Sequence, residues 1–261
     1  MNISLLGKNA LIGGSSKGIG EAIARQLAES GANVTLMARN EARLQKIVSE
    51  LQVGQEQKHG YLIVDFSDFE GFTSKINSFF TQNSIDILVN NTQGPEAGNA
   101  LEKKVDDYQN AFDLLFKSVV LTTELALKHM QEKQWGRIIN VASISVKEPL
   151  NYLALSNSIR AAVVTWAKSL AIDVAKDGIT VNNALTGYFD TDRIAQLNAK
   201  KAEKLGIPPA EVRSAMETKV PMHRIGKPEE YGYLVTFLAS EQAAYITGTN
   251  IPIDGGLLKS L

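Results

Sequence analysis

The stretch Gly13–Gly31, GGSSKGIGEAIARQLAESG, joins a short apolar run to a segment whose apolar residues recur with helical spacing. Within it, Gly14, Gly18 and Gly20 stand where the predicted strand becomes a helix. Glycine at such places lets the backbone turn tightly and approach a phosphate, whose charge then lies at the helix N-terminus. Because this loop stands between a strand and a helix, we expect it to bind the pyrophosphate of a dinucleotide.

Strand-like and helix-like segments alternate along the rest of the chain. The predicted strands are NALIGG, NVTLMA, YLIVDF, DILVNN, GRIINVAS, ITVNNAL and NIPIDGG, and the early ones barely alternate in polarity, as in strands buried on both faces. Predicted helices cover 18–30, 41–51, 69–80 and 101–134, and another opens within 151–156 and ends at 177. This order predicts an α/β protein, a single-domain Rossmann fold over residues 1–261 with a doubly wound seven-stranded parallel sheet and helices on both faces.

One region, Tyr188–Lys227, is irregular and rich in Lys, Ala and Pro. It is too short for a second domain. We expect short helices here that form a flap on the substrate side of the cleft.

Composition limits the function classes. The formal net charge of this 261-residue chain is -1, with basic and acidic residues mixed, which favours neither a nucleic-acid nor a membrane partner. Cysteine is absent and the three histidines lie far apart, so we predict no metal site. The N-terminus does not resemble a signal peptide, and no apolar run approaches the ~18 residues that span a bilayer. A cytoplasmic protein is expected.

The residue that ends the second predicted strand indicates which cofactor binds. NAD sites carry a carboxylate there for the ribose hydroxyls, whereas NADP sites carry an arginine for the 2′-phosphate. Here the strand ends in Arg39, 19 residues after Gly20, and Lys17 adds a second cation. The alternative is that both are solvated surface charges. We expect NADP(H) rather than NAD(H).

Six motifs together resemble the short-chain dehydrogenase/reductase family over essentially the whole chain. They are GGSSKGIG, VDFSD, NNTQG, INVAS, TGYFDT and the tail RIGKPEE…YITGTNIPIDGG. The likeness is strongest to 3-oxoacyl-acyl-carrier-protein reductases and related ketone reductases. It implies an NADP(H)-dependent oxidoreductase that interconverts a ketone and a secondary alcohol, assembled as a homotetramer through its two long central helices.

The resemblance also implies which residues contact the cofactor outside the glycine loop. Asp65 and Phe66 are expected at the adenine, Asn90 at the adenosine ribose, and the Gly94 region nearby. Three residues after the sixth strand are expected at the nicotinamide. The full predicted set is Gly14, Ser16, Lys17, Gly18, Ile19, Gly20, Arg39, Asp65, Phe66, Asn90, Gly187, Phe189 and Thr191.

The catalytic pattern of the family is only partly kept. The family uses a serine after the fifth strand, a tyrosine 13 residues later, a lysine four beyond it, and an asparagine in the preceding long helix. Ser143 is retained, but the count places Ser156 at the tyrosine position and Arg160 at the lysine position. The phrase KSLA at 168–171 supports this register. Leu115 stands at the asparagine position.

These replacements keep a positive charge but weaken proton transfer. A serine hydroxyl is far less acidic than a phenol, and arginine does not titrate at neutral pH. We predict Ser143, Ser156, Arg160 and Tyr152 as the catalytic set, with Tyr152 as a substitute proton donor and Tyr188 as another. Packing against the flap is the alternative for either tyrosine, and helix capping for Ser156.

Several readings of the function follow from the altered site. The charge of Arg160 is expected to be compensated by the cofactor ribose or by a substrate anion such as a keto acid. Besides a ketone reductase, the residues are compatible with a protein that binds NADP(H) without turnover, as a sensor or oligomer partner. A non-redox lyase on the same scaffold is the third possibility.

Overall fold

The computed structural model describes residues 2–54 and 57–260. In this part of the chain seven parallel strands form one sheet in the order β3-β2-β1-β4-β5-β6-β7. The strands are β1 (Asn9–Gly13), β2 (Asn33–Ala38), β3 (Gly60–Ile63), β4 (Ile87–Asn90), β5 (Gly136–Ser143), β6 (Ile179–Thr186) and β7 (Asn250–Ile253). The winding direction reverses between β1 and β4, which creates a crevice at the carboxyl ends of these strands. The predicted doubly wound Rossmann fold is confirmed.

Helices cover both faces of the sheet. They are α1 (Gly18–Glu29), α2 (Glu41–Glu50), α3 (Phe69–Phe80), α4 (Val105–Phe112), α5 (Ser118–Lys133), α6 (Ala154–Val174), α7 (Asp192–Leu205), α8 (Pro209–Lys219) and α9 (Pro228–Leu238). Polar side chains start two of them as expected, because Asn40 and Asp68 accept the backbone N–H of Arg43 and Gly71. None of the described helices is both long and apolar enough to cross a bilayer.

The core has two layers, one on each face of the sheet. Helices α1, α2 and α9 pack on one face through residues such as Ile23, Leu27 and Val235. On the other face, α3, α5 and α6 contribute residues such as Phe72 and Met130. Each strand of the sheet centre is therefore apolar on both sides, which explains the weak alternation of its sequence.

The predicted helix 101–134 is interrupted in the structure. It splits into α4 and α5 around a π-helical turn at Asp113–Lys117. The hydroxyl of Ser118 donates to the Leu114 carbonyl over 2.6 Å, within this wider turn. Leu115 lies in the turn and is only 2% exposed, packed in the core of the α3–α6 face. The spacing of apolar residues hardly changes when one extra residue is inserted into a helical turn, so the sequence did not predict the π-helical turn.

The region Tyr188–Lys227 contains two helices, α7 and α8. Its base is held where Phe189 bridges Gly226 in parallel fashion. The Arg213 guanidinium donates to both Asp190 carboxylate oxygens, over 2.8 and 3.0 Å, and ties α8 to that base. These contacts place the start of α7 beside the carboxyl ends of the central strands.

Candidate active site

A cleft of about 900 Å³ opens at the carboxyl ends of the central strands. Because the sheet order runs β2-β1-β4-β5-β6, residues from β1 and β2 lie on one side and those from β5 and β6 on the other. We call the first side, with the glycine loop, Arg39 and Arg43, the cofactor end. We call the second, with Ser143, Ser156 and Arg160, the reaction end.

The glycine loop has the backbone geometry that a pyrophosphate site needs. Gly14 and Gly18 have φ of 55° and 59°, in the left-handed region that favours glycine. A Cβ on Gly20 would lie 2.3 Å from the Gly14 carbonyl oxygen. The first residue before α1 is Lys17, whose side chain offers no acceptor and leaves the helix N–H groups free. The loop therefore fits a dinucleotide phosphate.

Two residues outside the predicted cofactor-binding set hold this loop in place. The buried Ser15 hydroxyl donates to Ile12 over 2.9 Å and accepts the Met37 N–H over 3.0 Å, joining the loop to β2. The Asn91 amide donates to the Gly13 carbonyl over 3.0 Å, and Asn91 lines the cleft. The roles of Ser15 and Asn91 depend on hydrogen bonds to strands that are distant in sequence, so local motifs did not indicate them.

Asn90, predicted at the adenosine ribose, lies elsewhere. Its amide is buried and donates to the Asn140 Oδ1 and Thr123 Oγ1 atoms, over 2.9 and 3.0 Å. Asn140 in turn donates to Asn183, so the amides link neighbouring strands inside the protein. Its neighbour Asn91 lies on the described cleft lining and Asn90 does not, because successive side chains of a strand point to opposite faces.

At the cofactor end, positively charged side chains outnumber negatively charged ones on the described lining. Arg39 and Arg43 line the cleft, and the Arg39 side chain is 61% exposed. Asp65, predicted at the adenine, is absent from the described cleft lining. It lies 3.8 Å from the Arg39 guanidinium and accepts the Ser67 N–H over 2.9 Å. Partial burial works to raise the pKa of Asp65, but the Ser67 hydrogen bonds and the Arg39 charge outweigh it, so the pKa lies below its ordinary value. Phe66 forms part of the cleft wall.

The flap contacts the glycine loop directly. Lys17 Nζ lies 2.9 Å from the carboxylate of Asp192, the first residue of α7. This hydrogen bond lowers the pKa of Asp192. Thr191 caps α7 by accepting the Ile194 N–H, and its methyl group lies 3.2 Å from where a Cβ of Gly18 would be. The start of α7 thus covers the loop that the cofactor phosphates need.

At the reaction end, two serine hydroxyls lie on the cleft wall. Ser143 ends β5, and its Oγ accepts the Ser145 N–H over 3.1 Å. Ser156 is buried in the first turn of α6. The capping role considered for Ser156 is wrong, because α6 begins at Ala154 with Leu153 at the N-cap position. Its hydroxyl is thus free for another role.

Arg160 is half-buried and lines the same wall. One guanidinium nitrogen donates to the Val141 carbonyl. Burial lowers the pKa of Arg160, and the nearby charge of Arg193 lowers it further, although an arginine stays protonated at neutral pH. Among the described residues, the hydrogen-bond partner of the Arg160 guanidinium is therefore a backbone carbonyl.

The tyrosines considered as substitute proton donors lie together, outside the described cleft lining. Tyr152 is 42% exposed. Partial burial and the neighbouring Tyr188 raise the pKa of the Tyr152 phenol to about 12. Tyr152 lies two residues before the start of α6, and its role as a substitute proton donor stays a prediction.

Phe189 forms a rigid wall near the carboxyl end of β6. Its ring meets Tyr231 edge-on with 5.3 Å between centroids, and a Cβ on Gly226 would lie 2.7 Å from it. The fully buried Tyr231 hydroxyl donates to the Ala184 carbonyl and accepts the Thr186 hydroxyl. Gly187 and Thr191 also line the cleft. Tyr231 lies in a distant helix, so the motif pattern did not point to it.

The fold and the cleft define a dinucleotide-binding protein of the α/β class. The family model described as enoyl-(acyl carrier protein) reductase matches residues 14–258. The chain is 34% identical over 262 residues to 3-oxoacyl-acyl-carrier-protein reductase FabG of Rickettsia conorii, with 98% of this chain and 99% of that protein covered. It is 36% identical over 257 residues to oxidoreductase UcpA of Salmonella typhimurium, covering 97% and 95%.

Solved structures agree with this assignment. L-sorbose reductase from Gluconobacter frateurii, complexed with NADPH and L-sorbose, superposes with a TM-score of 0.92 at 31% identity and 100% coverage of both chains. A 3-oxoacyl (acyl-carrier-protein) reductase from Agrobacterium tumefaciens with NADP bound has a TM-score of 0.86 at 29% identity, covering 97% and 95%. The chain belongs to the short-chain dehydrogenase/reductase family, as its motifs predicted.

Proposed function

We propose that this protein is an NADP(H)-dependent oxidoreductase that interconverts a ketone and a secondary alcohol with a proton donor other than the family tyrosine. The observation that carries the proposal is one cleft with a phosphate-fitting glycine loop at one end and Ser143 at the other. The relatives named as ketone reductases and the neighbours with NADP or NADPH bound support it. When bound, NADP(H) supplies or accepts the hydride.

The preference for NADP(H) over NAD(H) is part of the proposal. Arg39 and Arg43 line the cofactor end, and neither Asp65, 3.8 Å from Arg39, nor Glu41, at the start of α2, is on the described lining. Guanidinium groups bind a 2′-phosphate in a bidentate way. Lys17 adds charge once it exchanges Asp192 for a phosphate.

Ser143 is the group that polarises the substrate oxygen in this proposal. Its Oγ already accepts the Ser145 N–H, so its own O–H is free to donate to a ketone oxygen. Arg160 stabilises the negative charge that develops on that oxygen. Ser156 holds a water that relays a proton from the solvent to this oxygen, since neither the serine hydroxyl nor the water is acidic enough to give up its own proton without replacement.

The experiment that tests the proposal has two readouts. Purified protein is titrated with NADPH and NADH, and then keto esters, keto acids, sugars and quinones are screened by loss of nicotinamide absorbance. We expect tighter binding of NADPH than of NADH, and turnover of at least one ketone class. Failure to bind either nucleotide contradicts the proposal entirely.

A second candidate function is NADP(H) binding without redox turnover. It is favoured by one observation, the replacement of three catalytic positions by Ser156, Arg160 and the core residue Leu115. Tight NADPH binding with no turnover in the whole panel supports this candidate over the first.

We also propose that the protein is a homotetramer. The outer surface of α6 carries Ile172, which is 69% exposed, and half-buried Trp166 and Leu170 lie on the same helix. Apolar side chains on an outer helix face are typical of a subunit interface. Light scattering of the purified protein at several concentrations tests this, and a mass of one chain contradicts it.

A further inference from the structure

We propose that the substrate carries a carboxylate, which Arg193 binds together with Arg160. Arg193 is the second residue of α7 in the flap. The proposal rests on the proposed function, since it names the substrate class of that same cleft. It adds a binding residue that no motif indicated.

The charges of the cleft are strongly unequal. Among the described residues that line it, the only acidic side chain is Asp192, which is paired with Lys17. The basic side chains on the lining are Lys17, Arg39, Arg43, Arg160 and Arg193. The pyrophosphate and 2′-phosphate of NADP(H) account for the cations at the cofactor end. Arg193 remains for another anion, and Arg160 has enough N–H donors to share that anion while it also stabilises the substrate oxygen.

Arg193 belongs to the reaction end by its contacts. Its guanidinium donates to the Pro95 carbonyl over 2.9 Å, and it lies 3.6 Å from where a Cβ of Gly94 would be. Gly94 and Pro95 follow β4, beside the β5 end that carries Ser143. Arg160 donates to Val141 of β5, and β4 and β5 are paired neighbours in the sheet. The two guanidinium groups therefore line the cleft from adjacent strand ends, and the charge of Arg193 contributes to the lowered pKa of Arg160.

Neither guanidinium has its hydrogen-bonding capacity filled. Each group has five N–H donors, and one bond from each goes to a backbone carbonyl, Val141 for Arg160 and Pro95 for Arg193. No carboxylate of the described residues faces either group. Two like charges placed together in a partly desolvated cleft are unfavourable unless an anion lies between them.

A carboxylate fits this arrangement because arginine binds it through paired N–H groups. Bound there, it fixes the distance between the acid group and the ketone that Ser143 polarises. Arg193 is the second residue of α7, so the attraction between its guanidinium and an anion in the cleft acts on the start of the flap. We expect substrate binding to pull α7 toward the reaction end.

The first test compares an acid with its neutral ester. The kcat/KM with NADPH is measured for levulinate (4-oxopentanoate) and methyl levulinate. We expect a preference of about tenfold or more for the acid in the native protein. In Arg193→Gln this preference disappears through a raised KM for levulinate, and Arg193→Lys retains part of it because the charge stays.

The matched control is Arg25→Gln, which removes the same charge outside the cleft. Arg25 pairs with Glu21 and Glu50 on the outer side of α1, so we expect no change in the preference between acid and ester. Equal losses for both substrates in Arg193→Gln contradict the proposal. So does a native preference for the ester, or a loss of NADPH affinity equal to the loss of activity, which assigns the charge to the cofactor.

A binding test keeps this inference separate from the proposed function. Calorimetry with NADP+-saturated protein compares succinate with succinamide as probes. Succinate binding that Arg193→Gln weakens about tenfold supports the inference even when no ketone is reduced, in which case only the proposed function fails. Ketone turnover without a succinate preference overturns the inference and leaves the function. Circular dichroism of the two Arg193 variants verifies that they fold.

Discussion

The two ends of the cleft share one sheet, but they depend on the sequence in different ways. At the cofactor end, Gly14, Gly18 and Gly20 are required by backbone geometry, because no other residue fits without a clash or strain. At the reaction end, the backbone of β5 and α6 is in place, and the family resemblance implies other side chains at the positions of Ser156 and Arg160. The difference shows that a scaffold constrains its backbone sites more strongly than the side chains that carry out chemistry.

The largest effect is expected from breaking the cofactor end. In Gly20→Ala the new Cβ would lie 2.3 Å from the Gly14 carbonyl oxygen, which belongs to backbone that cannot move away as a flexible side chain would. We expect a loss of NADPH affinity of up to about a hundredfold, since overpacking costs roughly 1–3 kcal/mol. Fluorescence titration measures it.

The matched control for that variant is Gly60→Ala. Gly60 begins β3, and no described atom lies within 4 Å of the place that a Cβ would occupy, so alanine is tolerated there. Equal NADPH affinities of Gly20→Ala and the native protein would show that the loop shape does not determine binding.

The second prediction concerns a variant in which the reaction end regains the tyrosine and lysine that the family resemblance implies. In the double variant Ser156→Tyr with Arg160→Lys, a phenol and a titratable amine return to the positions that the family uses. We expect kcat for a neutral ketone such as methyl levulinate to rise about tenfold, less than the roughly hundredfold or more typical of general acid catalysis, because Leu115 stays buried in the core. Steady-state kinetics measure this, and an unchanged kcat shows that the pocket rather than proton transfer limits the rate.

The third effect concerns which nucleotide the cofactor end selects. Arg39→Asp places a carboxylate at the tip of β2, where it repels a 2′-phosphate and accepts ribose hydroxyls. We expect the ratio of NADPH to NADH affinity to fall about tenfold, measured by fluorescence titration. Arg43→Gln, at the same end, lowers NADPH affinity without improving NADH. An unchanged ratio in Arg39→Asp identifies Arg39 as a solvated surface charge.

The smallest effect is expected from Tyr152→Phe. The raised pKa of about 12 keeps this phenol protonated far above neutral pH, so it cannot act as the acid that titrates in turnover. We expect the profile of kcat against pH to be unchanged between about pH 6 and 9. Because the pKa of Tyr152 is raised in the folded protein, any contribution of the neutral phenol to the free energy of unfolding is fully present below the ordinary tyrosine pKa. That contribution is lost as the pH rises through the raised pKa of the folded protein. Loss of a basic limb in the kcat profile would instead identify Tyr152 as the proton donor.

Much of the fold was readable from the sequence. The alternation of apolar runs and helical segments predicted the seven strands, and β1, β2, β5 and α3 lie close to their expected ranges. The break at Asp113–Lys117 was missed, because an extra residue in a helix leaves the apolar pattern almost unchanged. At the site, the Asn90 amide is bonded inside the sheet while the Asn91 amide reaches the glycine loop, which the motif did not indicate because it gives a position in the chain but not the face of the strand.

The sequence by itself determined the glycine loop and predicted the register of the catalytic positions, because both depend on local spacing along one strand–helix unit. Only the tertiary structure joined Lys17 to Asp192, which are 175 residues apart, and placed Arg193 on the same cleft lining as Arg160. These contacts come from the packing of the flap against the carboxyl ends of the strands. Packing of that kind depends on the whole core, and no short stretch of sequence encodes it.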